Sequence, residues 1–533
     1  MEVTVAEGTN VLDAAKAVGI QIPHYCYHPA LSIAGSCRLC VVELEKQPRL
    51  QLSCQMQAAD GMVVHTNTER VQEARASILE FFLLNHPIDC PVCDQSGECW
   101  LQIYYMRHGL YQSRQLGDKL KKHKALPIGR HIILDSERCV LCSRCVRFCQ
   151  EITHTDEMGL FERGNESEIG IFPGKELFSK YTGNLGDICP VGALTDGDFR
   201  FRCRVWYLDV TESICPLCSR GCNIEIHCNV RRPHQSKGQR ILRLKPRFNP
   251  EVNQWWMCDE GRYGYKFIED STRLLHPQMG EPSNLATAGW PEIIAALAKR
   301  LRSFRLDEVA VLASAQLTNE EMFLVKRIFR DGLRIKNLDF RVPPKGQPSA
   351  DEMLIQPDKN PNTRGAQEIG LIPPPDGLSS EEILVAAADG RVKALFVFHH
   401  EFLDSPWDPA LTDKALSRLE LLVFQGSNAT STCRRAHFIL PAATFAEKDG
   451  TFTNFQGHVQ RINRAVEPVG ESLPDWEILL SLSRALDLRL PYASPRETFD
   501  DLASSVPSFS QLDYPSIGNQ GAPLRQEGES SAR

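Results

Sequence analysis

No run among the 533 residues approaches the roughly 18 consecutive apolar positions of a membrane-spanning helix. The start, Met1-Glu2-Val3-Thr4-Val5, lacks both a basic opening and an apolar stretch behind it, so it does not read as a secretory leader. These two lacks lead us to expect the chain on the cytosolic side, with any membrane role reached through partner subunits. Excess positive charge is missing too. Lys and Arg number 60 against 67 Asp and Glu, a net charge of −7, and nothing suggests nucleic-acid binding. No glycine-rich loop stands at a strand-to-helix turn, so there is no phosphate cradle for NAD or flavin. No Ser-His-Asp arrangement has useful spacing. The second half is almost empty of cysteine, since only Cys433 follows Cys258.

The first half is the opposite. Eighteen of the 19 cysteines lie between Cys26 and Cys258. A cytosolic chain seldom spends cysteine on disulfides, so metal binding or redox chemistry is favoured. The length implies roughly three to five domains.

The cysteines sort into four sets. The first is Cys26, Cys37, Cys40 and Cys54, spaced C-x10-C-x2-C-x13-C. Gly8 to Ala15 reads as a turn into a short helix, Gly35-Ser36 suits a wrapping loop, and Val41-Val42-Glu43-Leu44 reads as a strand. One long loop with a distant fourth ligand resembles a [2Fe–2S] ferredoxin, although not with the plant spacing. The second set is Cys90, Cys93 and Cys99. Three cysteines need a fourth ligand, and His86, following an apolar helix over Ile78 to Leu84, is the candidate. Its imidazole would make the site one charge more positive than four thiolates. Structural zinc, held by the same three cysteines and one histidine, is the local rival.

The third set is Cys139, Cys142 and Cys145, whose C-x2-C-x2-C spacing suits one [4Fe–4S] cubane better than zinc. The fourth ligand is Cys189, in a Cys-Pro step typical of ferredoxin partners. Cys149 competes but is followed by Gln150, and we read it as a packed thiol. Arg138, Arg144 and Arg147 would partly offset the negative charge of the cluster. The fourth set is Cys215, Cys218, Cys222 and Cys258, again suited to [4Fe–4S], with zinc as the alternative. Cys203, Cys228 and Cys433 remain as core or surface thiols.

Beyond Cys258 an amphipathic helix is expected near residues 290–303. Buried strands are expected at Glu308–Ala313, Ala394–Phe398 and Leu421–Phe424, with helices between them. That alternation predicts an α/β region with a mainly parallel sheet. Residues 341–383 read as a Pro-rich excursion or long loop. Residues 508–533 read as a polar tail, disordered or docking. His399-His400 reads as solvated or packed rather than as a metal pair.

The four sets, in this order and spacing, resemble the large iron–sulfur subunit (the G or third chain) of bacterial NADH:quinone oxidoreductase, respiratory complex I. The likeness covers residues 1 to about 265. It continues more weakly to about 490, where Asn362-Thr363-Arg364-Gly365-Ala366 and Leu440 to Asn454 resemble molybdopterin oxidoreductases. The resemblance implies a multidomain α+β and α/β protein. Its expected parts are a [2Fe–2S] ferredoxin-like β-grasp domain over 1–68 and a [4Fe–4S] domain with one histidine and three cysteine ligands over 69–110. A ferredoxin-like [4Fe–4S] domain over 111–207 and a molybdopterin-oxidoreductase-type [4Fe–4S] domain over 208–264 would follow. A shortened molybdopterin-oxidoreductase-like domain over 265–507 and the tail over 508–533 complete it.

The resemblance further implies one [2Fe–2S] and three [4Fe–4S] clusters on the four sets, the fourth off the main electron route, and no molybdopterin. Partners would be a flavin subunit that takes hydride from NADH and further peripheral-arm iron–sulfur subunits. The membrane arm would be reached only indirectly, from the cytoplasmic face of the inner membrane. The chain is short for that family and starts close to the first strand, so a few residues are expected to be missing there. The alternatives are an electron-transfer subunit of a cytosolic NAD-linked formate dehydrogenase or hydrogenase, and a zinc-stabilised scaffold.

Overall fold

The computed structural model describes residues 1–343, 348–402 and 406–525, and the chain divides into two units, Met1–Leu208 and Asp209–Arg533. In the first unit short elements carry long loops, and the loops carry the cysteines. Helix α1 (Val11–Ala17) starts at Asn10, whose side-chain oxygen accepts from the Asp13 amide at 2.9 Å. Strand β1 (Val41–Leu44) pairs antiparallel with β2 (Gln51–Leu52) on one side and β3 (Val64–His65) on the other. Helix α2 (Glu69–Leu83) is capped by Thr68 and buries Val71, Arg75 and Leu79. Helix α3 (Trp100–His108) begins directly after Cys99.

The rest of this unit is β4 (Leu126–Pro127), β5 (Ile132–Leu134), α4 (Arg144–Glu151), the hairpin β6 (Met158–Phe161) and β7 (Glu168–Ile171), α5 (Asn184–Ile188) and β8 (Leu194–Asp196). Strand β5 pairs antiparallel with both β4 and β8. The pairing of β5 with β8 brings the two ends of the third cysteine set together. Cys139 follows β5 after a short turn, and Cys189 precedes β8.

The second unit opens with three antiparallel strands, β9 (Asp209–Ile214), β10 (Asn223–Cys228) and β11 (Ile241–Pro246), followed by α6 (Asp259–Tyr263). Then come β12 (Gln278–Glu281), β13 (Asn284–Thr287), α7 (Trp290–Leu301), β14 (Val309–Leu312), α8 (Asn319–Val325), β15 (Asn337–Asp339), α9 (Thr363–Ile369), α10 (Ser380–Ala388), β16 (Ala394–Phe398), α11 (Pro409–Arg418), β17 (Leu421–Gly426) and β18 (Phe438–Pro441). Seven strands form one sheet in the order β13-β12-β18-β17-β16-β14-β15, and those from β18 to β15 run parallel. Alternate residues of β14 serve opposite faces: Val309 and Val311 join one apolar cluster, Ala310 and Leu312 another. Both faces being covered explains why these strands read as continuous apolar runs.

Two expectations need correction. Residues 341–383 are not simply a loop, because α9 lies within them and Leu354 and Ile355 are buried. The tail from 508 is not disordered as far as 525. After β19 (Gly450–Thr453), β20 (His458–Ile462), α12 (Asp475–Ala485) and α13 (Pro495–Ser505), it forms α14 (Tyr514–Ile517) and β21 (Ala522–Pro523), which pairs with β20. Phe509, Tyr514, Ile517 and Leu524 enter the core, so spaced apolar anchors outweigh the polar composition around them. Residues 526–533 lie outside the described residues.

Candidate metal centres

The first set forms two sulfur pairs. Cys26 and Cys37 Sγ lie 3.4 Å apart, as do Cys40 and Cys54 Sγ. The β1–β2 register makes the second pair, since Val41 faces Leu52 and the Ser53 amide donates to Cys40 O at 3.1 Å. The first pair sits in the loop between α1 and β1, which turns through left-handed Gly35 (φ +62°) and Arg38 (φ +56°). The Tyr25 amide donates to Cys37 Sγ at 3.4 Å.

Around the second set, His86, Cys90 and Cys99 line one cavity of about 360 Å³ with Leu83, Leu84 and Leu101. Burial holds the His86 imidazole down to about 4, so the ring is neutral. Its Nδ1 is buried with no hydrogen-bond partner, an orphan that a metal would satisfy. Cys93 does not line that cavity. It is buried against Gly192 of the Cys189 loop, where an added Cβ would fall 2.4 Å from Cys93 Sγ. A glycine thus lets the loop of the third set press against a thiol of the second.

All four members of the third set, Cys139, Cys142, Cys145 and Cys189, line one small cavity with Val140, Ile169 and Val191. Leu141 (φ +52°) and Ser143 (φ +58°) are left-handed, an uncommon backbone for such residues that wraps the loop round the cavity. Burial pushes the Cys139 and Cys189 thiols up to about 12, so it takes a bound metal to hold them as thiolates at neutral pH. Cys149 does not line that cavity and is buried in α4.

The fourth set also converges. Cys215, Cys218, Cys222 and Cys258 line one narrow cavity with Leu217, Met257, Leu354 and Ile355. The β9–β10 hairpin brings the Cys215 amide to Cys222 O at 2.9 Å, and Cys258 Sγ accepts from the Gly261 amide at 3.2 Å as the cap of α6. The third and fourth sets thus each line one cavity, the first forms two sulfur pairs, and of the second His86, Cys90 and Cys99 share a cavity that Cys93 does not line. Among the described residues no group of three or more such side chains converges on a single metal ion. Four thiols lining a cavity suit an inserted multi-atom group.

Thiols of the first three sets share one apolar cluster. It contains Cys26, Cys37, Cys99 and Cys142, with Cys139 and Cys189 packed against it, around Tyr25, Leu79 and Tyr104. Sequence reasoning gave no role to Gly192, Arg75, Leu354 or Ile355, because each acts through a contact that only the fold creates.

In the second unit the strand order reverses between β14 and β16, the crevice where open α/β sheets bind ligands. Here it is bridged by the chain itself. His400 Nε2 lies 2.7 Å from Ala313 O, and His399 Nε2 lies 2.9 Å from Asp475 Oδ1. Lys448 Nζ contacts Glu321 and Asp475 at 2.7 Å each. The two histidines are thus packed rather than a metal pair. Cys433 is buried and its thiol donates to Thr430 O at 3.2 Å.

Five family models match. They are a 2Fe-2S iron-sulfur cluster binding domain (residues 1–69), the NADH-ubiquinone oxidoreductase-G iron-sulfur binding region (75–114), and the ferredoxin-like domain of NADH-quinone oxidoreductase subunit 3 (129–195). The others are the molybdopterin oxidoreductase Fe4S4 domain (208–270) and molybdopterin oxidoreductase (362–485). The chain is 29% identical to the NADH-quinone oxidoreductase-G subunit of Rickettsia bellii, over 96% of this chain and 89% of that one. It is 29% identical to the mitochondrial NADH-ubiquinone oxidoreductase 78 kDa subunit of Candida albicans, over 92% and 82%. The NADH-quinone oxidoreductase-G subunit of Streptomyces coelicolor is 40% identical over 64% of this chain and 40% of its own length.

Proposed function

The chain belongs to the NADH-quinone oxidoreductase-G family of iron–sulfur subunits, and from that premise we propose that it relays single electrons from a flavin-bearing partner toward quinone. It is an iron–sulfur component of an oxidoreductase complex. The observation that carries the relay is the apolar cluster shared by thiols of three sets. Sites that share one dry core are close neighbours, and their surroundings exclude water and fix their spacing.

Cys26 with Cys37, and Cys40 with Cys54, each hold one iron of a [2Fe–2S] cluster, which accounts for two sulfur pairs. His86, Cys90, Cys93 and Cys99 hold a [4Fe–4S] cluster through one imidazole and three thiolates. Cys139, Cys142, Cys145 and Cys189 hold the second [4Fe–4S], and Cys215, Cys218, Cys222 and Cys258 the third. Bound clusters supply one-electron redox chemistry. The chain's own residues position them, keep water out and tune them by charge and hydrogen bonds.

The domain divisions proposed from the sequence place one site in each of the first four domains. The α/β region works as scaffold without molybdopterin, a reading supported by the side chains that bridge its switch-point crevice. Partners are the flavin subunit and neighbouring iron–sulfur subunits, with the chain held peripherally at the cytoplasmic face of the inner membrane. Among the described residues no helix is long and apolar enough to cross a membrane.

Anaerobic iron and sulfide analysis with EPR tests the assignment. One [2Fe–2S] and three [4Fe–4S] clusters require about fourteen irons per chain. Zinc at about four atoms per chain with little sulfide would establish a scaffold instead, and molybdenum at one atom per chain would overturn the scaffold reading of the α/β region.

A further inference from the structure

Two arginines of α4 lie between the first and third cysteine sets. Arg144 and Arg147 are each only 8% exposed. Arg147 Nη2 donates to Cys26 O at 2.6 Å and to Cys142 O at 3.2 Å, and its Nη1 donates to Ser32 O. Arg144 Nη1 donates to Ile188 O, beside Cys189, at 3.1 Å, and its Nη2 donates to Tyr27 O, beside Cys26. Each guanidinium thus grips the backbone of both cluster loops. They sit three residues apart, on neighbouring turns of one helix face.

Neither has a carboxylate partner among the described residues. Carbonyl oxygens satisfy the N–H groups but do not cancel a full positive charge, and a buried uncompensated cation is costly. Arg138 shows the ordinary solution, a bond of 2.6 Å to Asp89. Glu151, one turn along α4, accepts from Ser32 N and Oγ while Arg147 donates to Ser32 O, but no ion pair joins the two among the described residues. The other anions the two arginines face are the thiolates and clusters of the two sets they join. Reduction adds one negative charge to such a site, so a fixed cation beside it favours the reduced state.

We propose that Arg144 and Arg147 form one electrostatic clamp shared by the first and third sets, raising the reduction potentials of both clusters together. They are positioning and tuning residues, and the proposal rests on the ligand reading above. Arg75 provides an internal control. It is 2% exposed, donates to Val41 O at 2.9 Å beside Cys40, and touches neither loop of the third set. Its charge bears on the first site alone.

The test uses the full chain reconstituted anaerobically, with iron and sulfide counted before EPR-monitored potentiometry. In Arg144→Gln and Arg147→Gln with full iron, the [2Fe–2S] and Cys139-set midpoints both move to more negative values, and the His86-set midpoint moves least. Arg144→Lys and Arg147→Lys recover most of the shift, because charge is kept and only the fork is lost. Arg75→Gln moves the [2Fe–2S] midpoint alone. Unmoved midpoints, a shift confined to the Cys139 set, or lysine no better than glutamine would overturn the clamp. If the glutamine variants lose iron, the lysine variants decide: full iron with near-native midpoints supports it, and lost iron or displaced midpoints refute it. A failure of the ligand reading looks different, since the unsubstituted chain would then lack the iron and the signals.

Discussion

Apart from Arg138, which meets Asp89, buried cations of the first unit are compensated differently from the buried pairs of the second. In the second, Lys448 sits between Glu321 and Asp475, and Arg273 meets Glu447 at 2.8 Å, with all of these groups buried. Both of these cations are matched by acid from the same chain. In the first, Arg75, Arg144 and Arg147 are buried with only carbonyl and hydroxyl acceptors. An α/β scaffold that neutralises its own charges is complete as polypeptide. A unit whose buried cations lack carboxylate partners, and whose Cys139 and Cys189 thiols are pushed up by burial, is suited to an anionic insert. Stability of the first unit is therefore tied to its clusters, as in small metallodomains generally.

The sharpest way to break that contrast is to remove one ligand. Cys189→Ser is expected to lower iron by about four atoms per chain, from loss of one [4Fe–4S] cluster, and to weaken the whole first unit. Cys149→Ser, in the same loop region but away from the cavity, is expected to keep full iron. Iron analysis separates the two, and a loss confined to Cys149→Ser would reassign the fourth ligand. In the second unit Lys448→Met leaves Glu321 and Asp475 facing each other in the core. That should cost about 3–5 kcal/mol, the penalty for breaking a buried ion pair. Iron in the Cys26, His86 and Cys139 sets should stay unchanged. Urea unfolding by circular dichroism with parallel iron counts reads both, and iron lost from those sets would show that the scaffold is not self-sufficient.

Much of this was legible from spacing. The cysteine sets stand out because the proposed sites draw several thiols from one loop and one from afar, and β-pairing brings the distant member in, as β5 with β8 does for Cys189. The parallel strands were legible because burial on both faces leaves runs such as Val309–Leu312 wholly apolar. The tail was misread because its anchors, Phe509, Tyr514, Ile517 and Leu524, are diluted by polar neighbours, and composition averages over them. Asn362 and Thr453, noticed only as parts of two separate motifs, prove to be bonded, the Thr453 amide donating to Asn362 Oδ1 at 2.7 Å. Pairing across so long a stretch of chain leaves no local trace. Gly192 was invisible for the same reason.

Gly192→Ala probes how tightly the first unit is assembled without replacing a ligand. The new methyl would meet Cys93 Sγ at 2.4 Å, so either the Cys189 loop or the thiol must move. Overpacking of this kind costs about 1–3 kcal/mol. The expected readout is partial loss of the His86-set EPR signal, with the Cys215-set signal intact. Full iron and unchanged spectra would show that the two loops have room to part.

The smallest effect tests the exception in the second unit. Glu320 is fully buried, accepts from Thr451 N and Oγ1 at 2.9 Å each and from Tyr514 OH at 3.0 Å, and has no cation partner among the described residues. Burial pushes its carboxyl up to about 7, above the ordinary 4.5. Below the ordinary value both folded and unfolded chains hold the proton, and the native state keeps its full advantage. Between the two values the unfolded chain ionises first, so stability falls as pH rises, and above about 7 the loss is complete. Glu320→Gln cannot ionise and should flatten that slope by on the order of 1–2 kcal/mol. Urea midpoints of the second unit at pH 5 and pH 8 measure it. Equal pH slopes in variant and parent would mean that Glu320 is ionised and compensated after all, and that the second unit balances its buried charge without exception.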